Sequence, residues 1–438
     1  MSTMEPISVI GAGLAGCEAA WQIAKRGRRV VLYEMKPKVY SPAHHSPLFA
    51  ELVCSNSFKS VSTENAHGVL KEEMGRLDSL ILQAAKETRV PAGDSLAVDR
   101  EAFSKKITSA LERMENVEII REEVSVIPPD PITIVASGPL TSDALSREIQ
   151  RLTGDHHLFF YDAISPIVTA DSINFEKVFR ASRYEKGGND YVNCPMDEGE
   201  YDRFVEALNG AERTLLRSFE RRYLFEGCLP VEEMAERGRE TLAHGPLKPV
   251  GLIDPRTGKR PFAVVQLRQE DRFETLFSLV GFQTRLKQEE QRRVFRMIPG
   301  LEEAEFVRWG SVHRNTFMDS PRLLKETLQL RHRPGLFFAG QITGVEGYME
   351  STAMGLLSGI NACRYGDGLS LVIPPSSTAM GSLINYLISC NTTPFQPMNI
   401  NFGLFPPLEG RRTGRDRRRL LSERALEEIE RWKEEMKV

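Results

Sequence analysis

Two cysteines, Cys228 and Cys54, stand in surroundings where a reactive thiol competes with a packing one. Cys228 lies in Phe225-Glu226-Gly227-Cys228-Leu229-Pro230, and a Val-Glu-Glu-Met-Ala-Glu-Arg-Gly run follows. Pro230 suits the start of a helix, because its missing N–H is not needed there. Cys228 would then sit just outside a helix N-terminus, where the positive dipole end favours a nucleophilic thiolate. Glu226 and the acids of the following run oppose that effect. The competing reading is a small buried hydrophobe, the usual fate of a free cysteine. Cys54 is flanked by Ser55, Asn56 and Ser57, polar company for a cysteine, and reads as a thiol at a polar site or again as packing. Cys17 and Cys363 lie in small-residue helical stretches and read as packing; Cys194 and Cys390 carry no clear signal. None of the six forms C-x-x-C, which argues against a zinc site or a disulfide framework and fits a reducing cytoplasm. The eight histidines show no metal-ligand spacing, and the His44-His45 pair reads as loop.

The third chemical signal is a glycine pattern at the start of the chain. Ile7, Val9 and Ile10 make a short apolar strand, and Gly11-Ala12-Gly13-Leu14-Ala15-Gly16 follows as G-x-G-x-x-G. The first glycine permits the turn, the second lets the backbone approach a pyrophosphate, and the third lets the helix pack closely. The helix N-terminus offers unpaired N–H groups to phosphate oxygens. Val30, Val31 and Leu32 form a second strand ending near Glu34, 23 positions after Gly11, where a carboxylate would accept ribose hydroxyls. A lone glycine motif is weak; strand, turn, helix, strand and acid together predict a dinucleotide site rather than a glycine-rich turn in an ordinary α/β unit.

These residues need elements to hold them. After a polar loop at 36–47 comes the segment 51–60, too rich in Ser and Asn for a strand core. Apolar residues at Leu70, Met74, Leu77, Leu80, Ile81 and Ala84 predict one helix over 70–86. Asp99 three positions before Ala102 predicts a cap, with a helix running on to 114. Segments 117–120 and 124–127 read as paired strands. Residues 132–138 read as a buried strand that ends at Gly138, a second nucleotide contact. From 164 to 308 aromatic and charged residues interleave and the strand–helix rhythm fades; helices are expected near 200–208 and 289–297, strands at 261–267 and 275–282. The rhythm returns with Leu336-Phe337-Phe338-Ala339-Gly340, a loop from Gln341 to Gly347, and a small-residue helix opening at Tyr348. A helix N-terminus there could lie under a flavin, its dipole stabilising negative charge on the reduced ring.

The expected fold class is therefore α/β: a Rossmann-like FAD-binding domain of the two-dinucleotide-binding flavoprotein type, discontinuous in sequence, with an inserted α+β domain. The expected boundaries are 1–163, 164–308 and 309–438. The 438 residues allow two to three domains, and 41% hydrophobic with 27% charged residues is ordinary for a soluble globular chain. A net charge of −3 does not announce a nucleic-acid binder, so such a partner must meet a local patch. The N-terminus runs straight into the first strand and leaves no room for a signal peptide. Segment 368–408 holds no charged residue, but six prolines break it, so it reads as irregular chain packed on the body rather than a membrane span. Seven arginines fall between 411 and 424; Arg411, Arg412, Arg415, Arg417, Arg418 and Arg419 are phosphate-binding candidates, against the plainer reading of a solvated charge run.

Seven stretches resemble one family. GAGLAGCEAAWQIAKRG, HHSPLFAELVCSNSFKS, VASGPLTS, FEGCLPVEEMAERG, GSVHRNTF, FFAGQITGVEGYMESTAMGLLSGINA and FQPMNINFGLFPPL are similar, in collinear order over nearly the whole chain, to the folate- and FAD-dependent tRNA uracil-C5 methyltransferases of bacteria. The stretches around Cys228 and Tyr348 and the last of the seven separate this family from the related tRNA wobble-uridine modifying flavoprotein, which shares only the nucleotide-binding architecture. The resemblance implies formation of 5-methyluridine in the tRNA T-loop, with methylenetetrahydrofolate as carbon donor and NAD(P)H as the source of electrons through FAD. It implies that Cys228 adds to uracil C6, that Cys54 is a second active-site cysteine serving as base or protecting Cys228, and that Tyr348 sandwiches the folate pterin on the flavin. Gly11 to Gly16, Glu34, Gly138, Gly340 and Gln341 would hold the FAD. Neither a metal nor a membrane is implied, and the implied location is cytoplasmic. The rival readings are a flavin NAD(P)H oxidoreductase using the two cysteines and a non-catalytic flavin-bound RNA-binding protein.

Overall fold

The computed structural model describes residues 5–129, 132–154, 157–185, 188–214, 229–392, 395–410 and 414–438. The N-terminal pattern forms as its sequence predicts. Strand β1 (Ile7–Ile10) is fully buried, helix α1 (Leu14–Ala24) follows the glycine turn, and strand β2 (Val30–Tyr33) lies parallel to β1 with Ile7 opposite Val30. Strand Val117–Ile120 pairs parallel with β2, strand Thr133–Val135 with β1, and strand Arg333–Phe338 with Thr133–Val135. Counted along the chain, these five parallel strands stand in the order 3-2-1-4-5, with the short antiparallel strand Gln329–Leu330 outside the fifth. The order reverses between β1 and Thr133–Val135, and doubly wound sheets bind ligands at the carboxyl ends of the strands flanking such a point.

A second sheet of six strands is antiparallel throughout, in the order Phe179–Arg180, Tyr191–Met196, Ala263–Gln269, Leu276–Leu279, Ile167–Thr169, Phe306–Arg308. Helices Glu198–Asn209 and Gln288–Phe295 bury Phe204, Leu208, Val294 and Phe295 in its core. That core draws on residues 168–304, whereas the core around the parallel sheet draws on residues 7–149 and 317–432. The chain passes between the two through an antiparallel ribbon, strand His157–Ile164 against strand Ser311–Met318. The outgoing and returning segments thus run side by side.

Four sequence expectations need correction. The predicted helix over 70–86 is two helices, Ala66–Arg76 and Leu80–Glu87. Asp78 between them has φ +56°, and the Ser79 side chain accepts from the Leu82 amide to start the second helix. The buried Glu18 carboxylate of α1 also accepts from the Ser79 hydroxyl at 2.7 Å and the Ile81 amide at 3.1 Å, so a tertiary contact makes the break. Segment 124–127 is not a strand; Val117–Ile120 pairs with β2 instead. Within 51–60, residues Ser57–Ser60 do form a strand, at the edge of a three-stranded sheet with Ser95–Val98 and Arg89–Val90, because burial of Phe58 outweighs polar composition. The uncharged stretch 368–408 is not irregular throughout, since helix Ala379–Ser389 lies within it. Its N-terminus receives the Glu73 carboxylate, which accepts from the Ala379 and Met380 amides at 2.6 and 2.9 Å. Among the described residues no helix is long and apolar enough to cross a membrane.

Candidate functional site

The carboxyl ends of β1, β2, Thr133–Val135 and Arg333–Phe338 open into one cleft. Residues 10–15, 33–36, 136–142, Gly340, Gln341 and Tyr348 line it. The three glycines of the turn have three different reasons. Gly11 has φ +98°, and a Cβ there would stand 2.7 Å from the Ala136 carbonyl oxygen. A Cβ on Gly16 would fall 1.8 Å from the Gly11 carbonyl oxygen, so the third glycine lets α1 seat on its own turn. Gly13 is in an ordinary conformation, φ −75°, and a Cβ there would meet no protein atom within 4 Å. Space left open beside a helix N-terminus, where the protein itself does not need it, is what a pyrophosphate group requires.

Glu34 is buried at the end of β2 and already holds the turn: its two carboxylate oxygens accept from the Ala12 amide at 2.9 Å and the Lys36 amide at 3.0 Å. Each oxygen keeps a further lone pair for a hydroxyl. The residue thus serves the loop and faces the cleft together. Opposite, Gly138 has φ +71° and open space at its Cβ position. Helix Tyr348–Gly366 crosses α1 closely: Cβ atoms on Gly355 and Gly359 would stand 2.1 Å from the Ala15 and 2.8 Å from the Ala19 carbonyl oxygens. Gly340, φ +84°, packs against Ala15, and Gln341 donates to Glu346 at 2.7 Å across the turn before that helix. The cleft therefore has helix N-termini from both ends of the chain, the donor set that the diphosphate and the reducible ring of FAD call for.

Tyr348, first residue of the second helix, joins the cleft to Cys54. Its phenol oxygen accepts from the Cys54 amide at 2.9 Å and the Ser55 amide at 3.1 Å. Burial first, then the proximity of Cys54, pushes its phenol well above the usual range, so it stays protonated. The loop 52–56 is held from the other side by three arginines. Arg100 donates to the Leu52 carbonyl and, at 3.3 Å, to the Cys54 carbonyl; Arg308 donates to the Val53 carbonyl. Arg268 donates to Ser55 Oγ at 3.0 Å and Asn56 Oδ1 at 2.7 Å. Glu270 is buried and pairs with Arg100, whose charge holds its carboxyl below the usual range against the opposing effect of burial. Arg268 and Arg308 come from the antiparallel sheet, so both sheets meet at this thiol. Nothing in the sequence marked these arginines, because their common target is assembled only by the fold. Lys36 and Glu51, paired at 3.2 Å, and His44, whose Nδ1 lies 2.6 Å from Ser41 Oγ, also border the cleft.

Cys228 lies outside the described residues, as do Arg411 and Arg412. Helix Val231–Glu236 follows Pro230, and buried Glu232 accepts from the Arg285 amide and the Thr284 hydroxyl. The thiols of Cys17, Cys194 and Cys363 are buried, and Cys390 is half-buried beside Thr392. Arg415, Arg417, Arg418 and Arg419 lie in the first turns of helix Gly414–Met436. Arg415 pairs with Glu64, Arg419 pairs with Glu423 at 2.7 Å, and Arg417 donates to the Phe402 carbonyl at 3.3 Å. Arg418 is exposed and forms no ion pair among the described residues. Nor does any group of three or more His, Cys, Asp or Glu gather as a metal site among them.

A family profile described as glucose inhibited division protein A matches residues 6–370. The methylenetetrahydrofolate–tRNA-(uracil-5-)-methyltransferase TrmFO of Geobacter sulfurreducens is 61% identical over 427 residues, covering 97% of this chain and 98% of its own. The protein of the same name from Desulforamulus reducens is 58% identical and covers 100% of this chain and 99% of its own. The chain belongs to this methyltransferase family. Aquifex aeolicus GidA, in its form II crystal, aligns over 99% of this chain and 74% of its own with a TM-score of 0.72. At 18% identity that likeness concerns the fold alone, a GidA-like α/β flavoprotein architecture that this family member shares.

Proposed function

We propose that this protein methylates C5 of a T-loop uridine in tRNA, taking the carbon from methylenetetrahydrofolate and the electrons from NAD(P)H. The observation that carries the reading is 61% identity over 97% of the chain to a relative named for that reaction on tRNA uracil. The cleft supports it: Gly13 leaves room for a pyrophosphate, and Glu34, Gly138, Gly340 and Gln341 line the same cleft. FAD bound there supplies one-carbon transfer and carries the electrons. On this reading residues 1–163 and 309–438 form the FAD-binding domain, residues 164–308 an inserted RNA-facing domain, and the protein works in the cytoplasm.

Uracil C5 is a poor nucleophile until a thiolate adds to C6 and turns the ring into an enolate. Cys228 is the thiol assigned that step. C5 then accepts the one-carbon unit, loses its proton, and expels Cys228 as the C5 substituent is reduced to methyl. Cys54, at the junction with the cleft, is the group assigned to take the C5 proton or to protect Cys228. Tyr348 presents its ring where a pterin could lie against the flavin, with its hydroxyl anchored to the Cys54 loop.

Mass spectrometry of tRNA nucleosides after incubation with protein, methylenetetrahydrofolate and NAD(P)H tests the reading. 5-Methyluridine should appear only when both small molecules are present. Reduced-nicotinamide consumption with no methylated nucleoside would instead make the protein a simple oxidoreductase. With 5-fluorouridine-containing tRNA the wild type should form a stable covalent complex, since fluorine cannot leave as a cation, and Cys228→Ala should form none. An adduct that persists and maps to Cys54 would exchange the two roles.

A further inference from the structure

The three arginines that grip loop 52–56 are not equivalent. Arg100 is neutralised by the buried Glu270 at 2.5 Å, and Arg268 has the same carboxylate 3.7 Å away. Arg308 has no carboxylate partner among the described residues. It is largely buried, its guanidinium donates to the Val53 carbonyl one residue before the thiol, and Arg100, Glu270, Tyr348, Cys54 and His44 are its charged or titratable neighbours. Placing a cation there is unfavourable: burial and the neighbouring Arg100 both push the guanidinium down. A guanidinium remains charged nonetheless. Three guanidiniums against one carboxylate leave uncompensated positive charge around Cys54, delivered from the last strand of the antiparallel sheet, Phe306–Arg308.

We propose that Arg308 is a positioning residue for Cys54 that also makes the thiol's surroundings electropositive, so that this position favours anionic reacting partners over neutral ones. The inference rests on the proposed role of Cys54 in the reaction. It adds a specific link: one side chain of the antiparallel sheet helps to place a thiol on the other sheet's side of the molecule and sets its electrostatic selectivity. No sequence motif contains Arg308, and an uncharged donor could hold the Val53 carbonyl equally well. The charge therefore calls for an explanation beyond loop geometry.

The test uses FAD-loaded full-length protein and two alkylating reagents of nearly equal size, anionic iodoacetate and neutral iodoacetamide, with Cys54 modification read by peptide mass. The ratio of the two rates reports local potential, because thiolate fraction and accessibility affect both reagents alike. Arg308→Lys should keep the wild-type ratio. Arg308→Gln keeps a donor for Val53 and loses the charge; Arg308→Met loses both. Removing one unit charge at roughly 8 Å, with an effective dielectric constant of about 40, changes encounter with an anion about fivefold. The iodoacetate-to-iodoacetamide ratio should fall by about that factor in Gln and Met alike. Turnover should be impaired more in Met than in Gln, because only Met frees the loop. An unchanged ratio in the Gln variant overturns the electrostatic assignment, as does a wild-type Cys54 that reacts with neither reagent. If Arg308→Met fails to fold, Gln against Lys decides the matter alone. Failure of the underlying reading looks different: Cys54→Ala would then form 5-methyluridine at the wild-type rate whatever the reagent ratio shows.

Discussion

Gly13 and Gly16 sit three residues apart in one turn, yet they should fail in opposite ways when changed. A methyl group on Gly13 meets no protein atom within 4 Å, so Gly13→Ala should fold with the melting temperature of the flavin-free wild type and purify with little or no flavin absorbance. A methyl on Gly16 meets the Gly11 carbonyl oxygen at 1.8 Å, so Gly16→Ala should lower the stability of the protein itself by about 1–3 kcal/mol or more. Denaturation of the two variants side by side, with flavin content measured, separates ligand space from packing space; flavin retained in full by Gly13→Ala would remove the pyrophosphate assignment. His44 gives a pH-dependent counterpart. Burial first, then Lys36, pushes its imidazolium down to about 4. The unfolded chain takes up this proton near the ordinary value of about 6.5 while the folded chain refuses it, so its contribution is present above that pH and is lost as pH falls toward 4. His44→Gln, which cannot titrate, should show a smaller drop in melting temperature between pH 7 and pH 5 than the wild type. Parallel curves would mean that His44 is not held neutral by the fold.

At the scale of elements, the site depends on two helices from opposite ends of the chain meeting at small residues. Ala15 and Ala19 of α1 face Gly355 and Gly359 of helix Tyr348–Gly366, close enough that any side chain on those glycines strikes a backbone oxygen. Because both helix N-termini border the cleft, separating the helices moves the phosphate-facing and ring-facing walls together. Gly355→Leu should therefore lose flavin and stability at once, unlike Gly13→Ala, and added FAD should rescue little of the melting temperature. Full flavin content in a folded Gly355→Leu protein would show that the two walls are independent. Contacts from other side chains of α1 explain the broken helix at Asp78. The α1 side chains Trp21 and Gln22 donate to the Asp78 carbonyl at 3.1 Å and the Leu77 carbonyl at 3.2 Å, while Glu18 starts the next helix. Apolar periodicity over 70–86 is continuous, so no local signal announces the interruption.

At the scale of the whole molecule, binding of a polyanion is a matter of where cations face. The C-terminal helix docks on helix Ala66–Arg76 through Leu421, Ala425, Ile429 and Trp432, with Arg76 donating to the Leu426 carbonyl. Docking occupies part of the arginine run internally: Arg415 on Glu64, Arg419 on Glu423 and Arg417 on a carbonyl. If the run contacts phosphates, Arg418→Ala should lower the slope of log K against log salt for tRNA by about one, the expectation for one lost phosphate contact. Arg417→Ala should change it less. Filter-binding titrations at several salt concentrations measure both, and an unchanged slope for Arg418→Ala would leave the run as a solvated surface.

The local rules of the chain were enough for the βαβ unit from Ile7 to Glu34, the capped helix after Asp99, and the late strand and helix around Gly340 and Tyr348. Each is written in neighbouring residues, because a glycine turn, a cap or a short strand satisfies its own hydrogen bonds and burial within a few positions. The interruption at Asp78, the strand Ser57–Ser60 and the helix inside the uncharged stretch were not legible. Each is decided by a partner far away in sequence: Glu18 for the first, Phe103 packed on Phe58 for the second, Glu73 at the N-terminus of the third. Cys54 could be singled out from its polar neighbours alone. That Tyr348 binds its amide, and that Arg100, Arg268 and Arg308 surround it, depends on bringing together residues up to 294 positions apart, which happens only once the folded chain sets the arginines of the antiparallel sheet against loop 52–56.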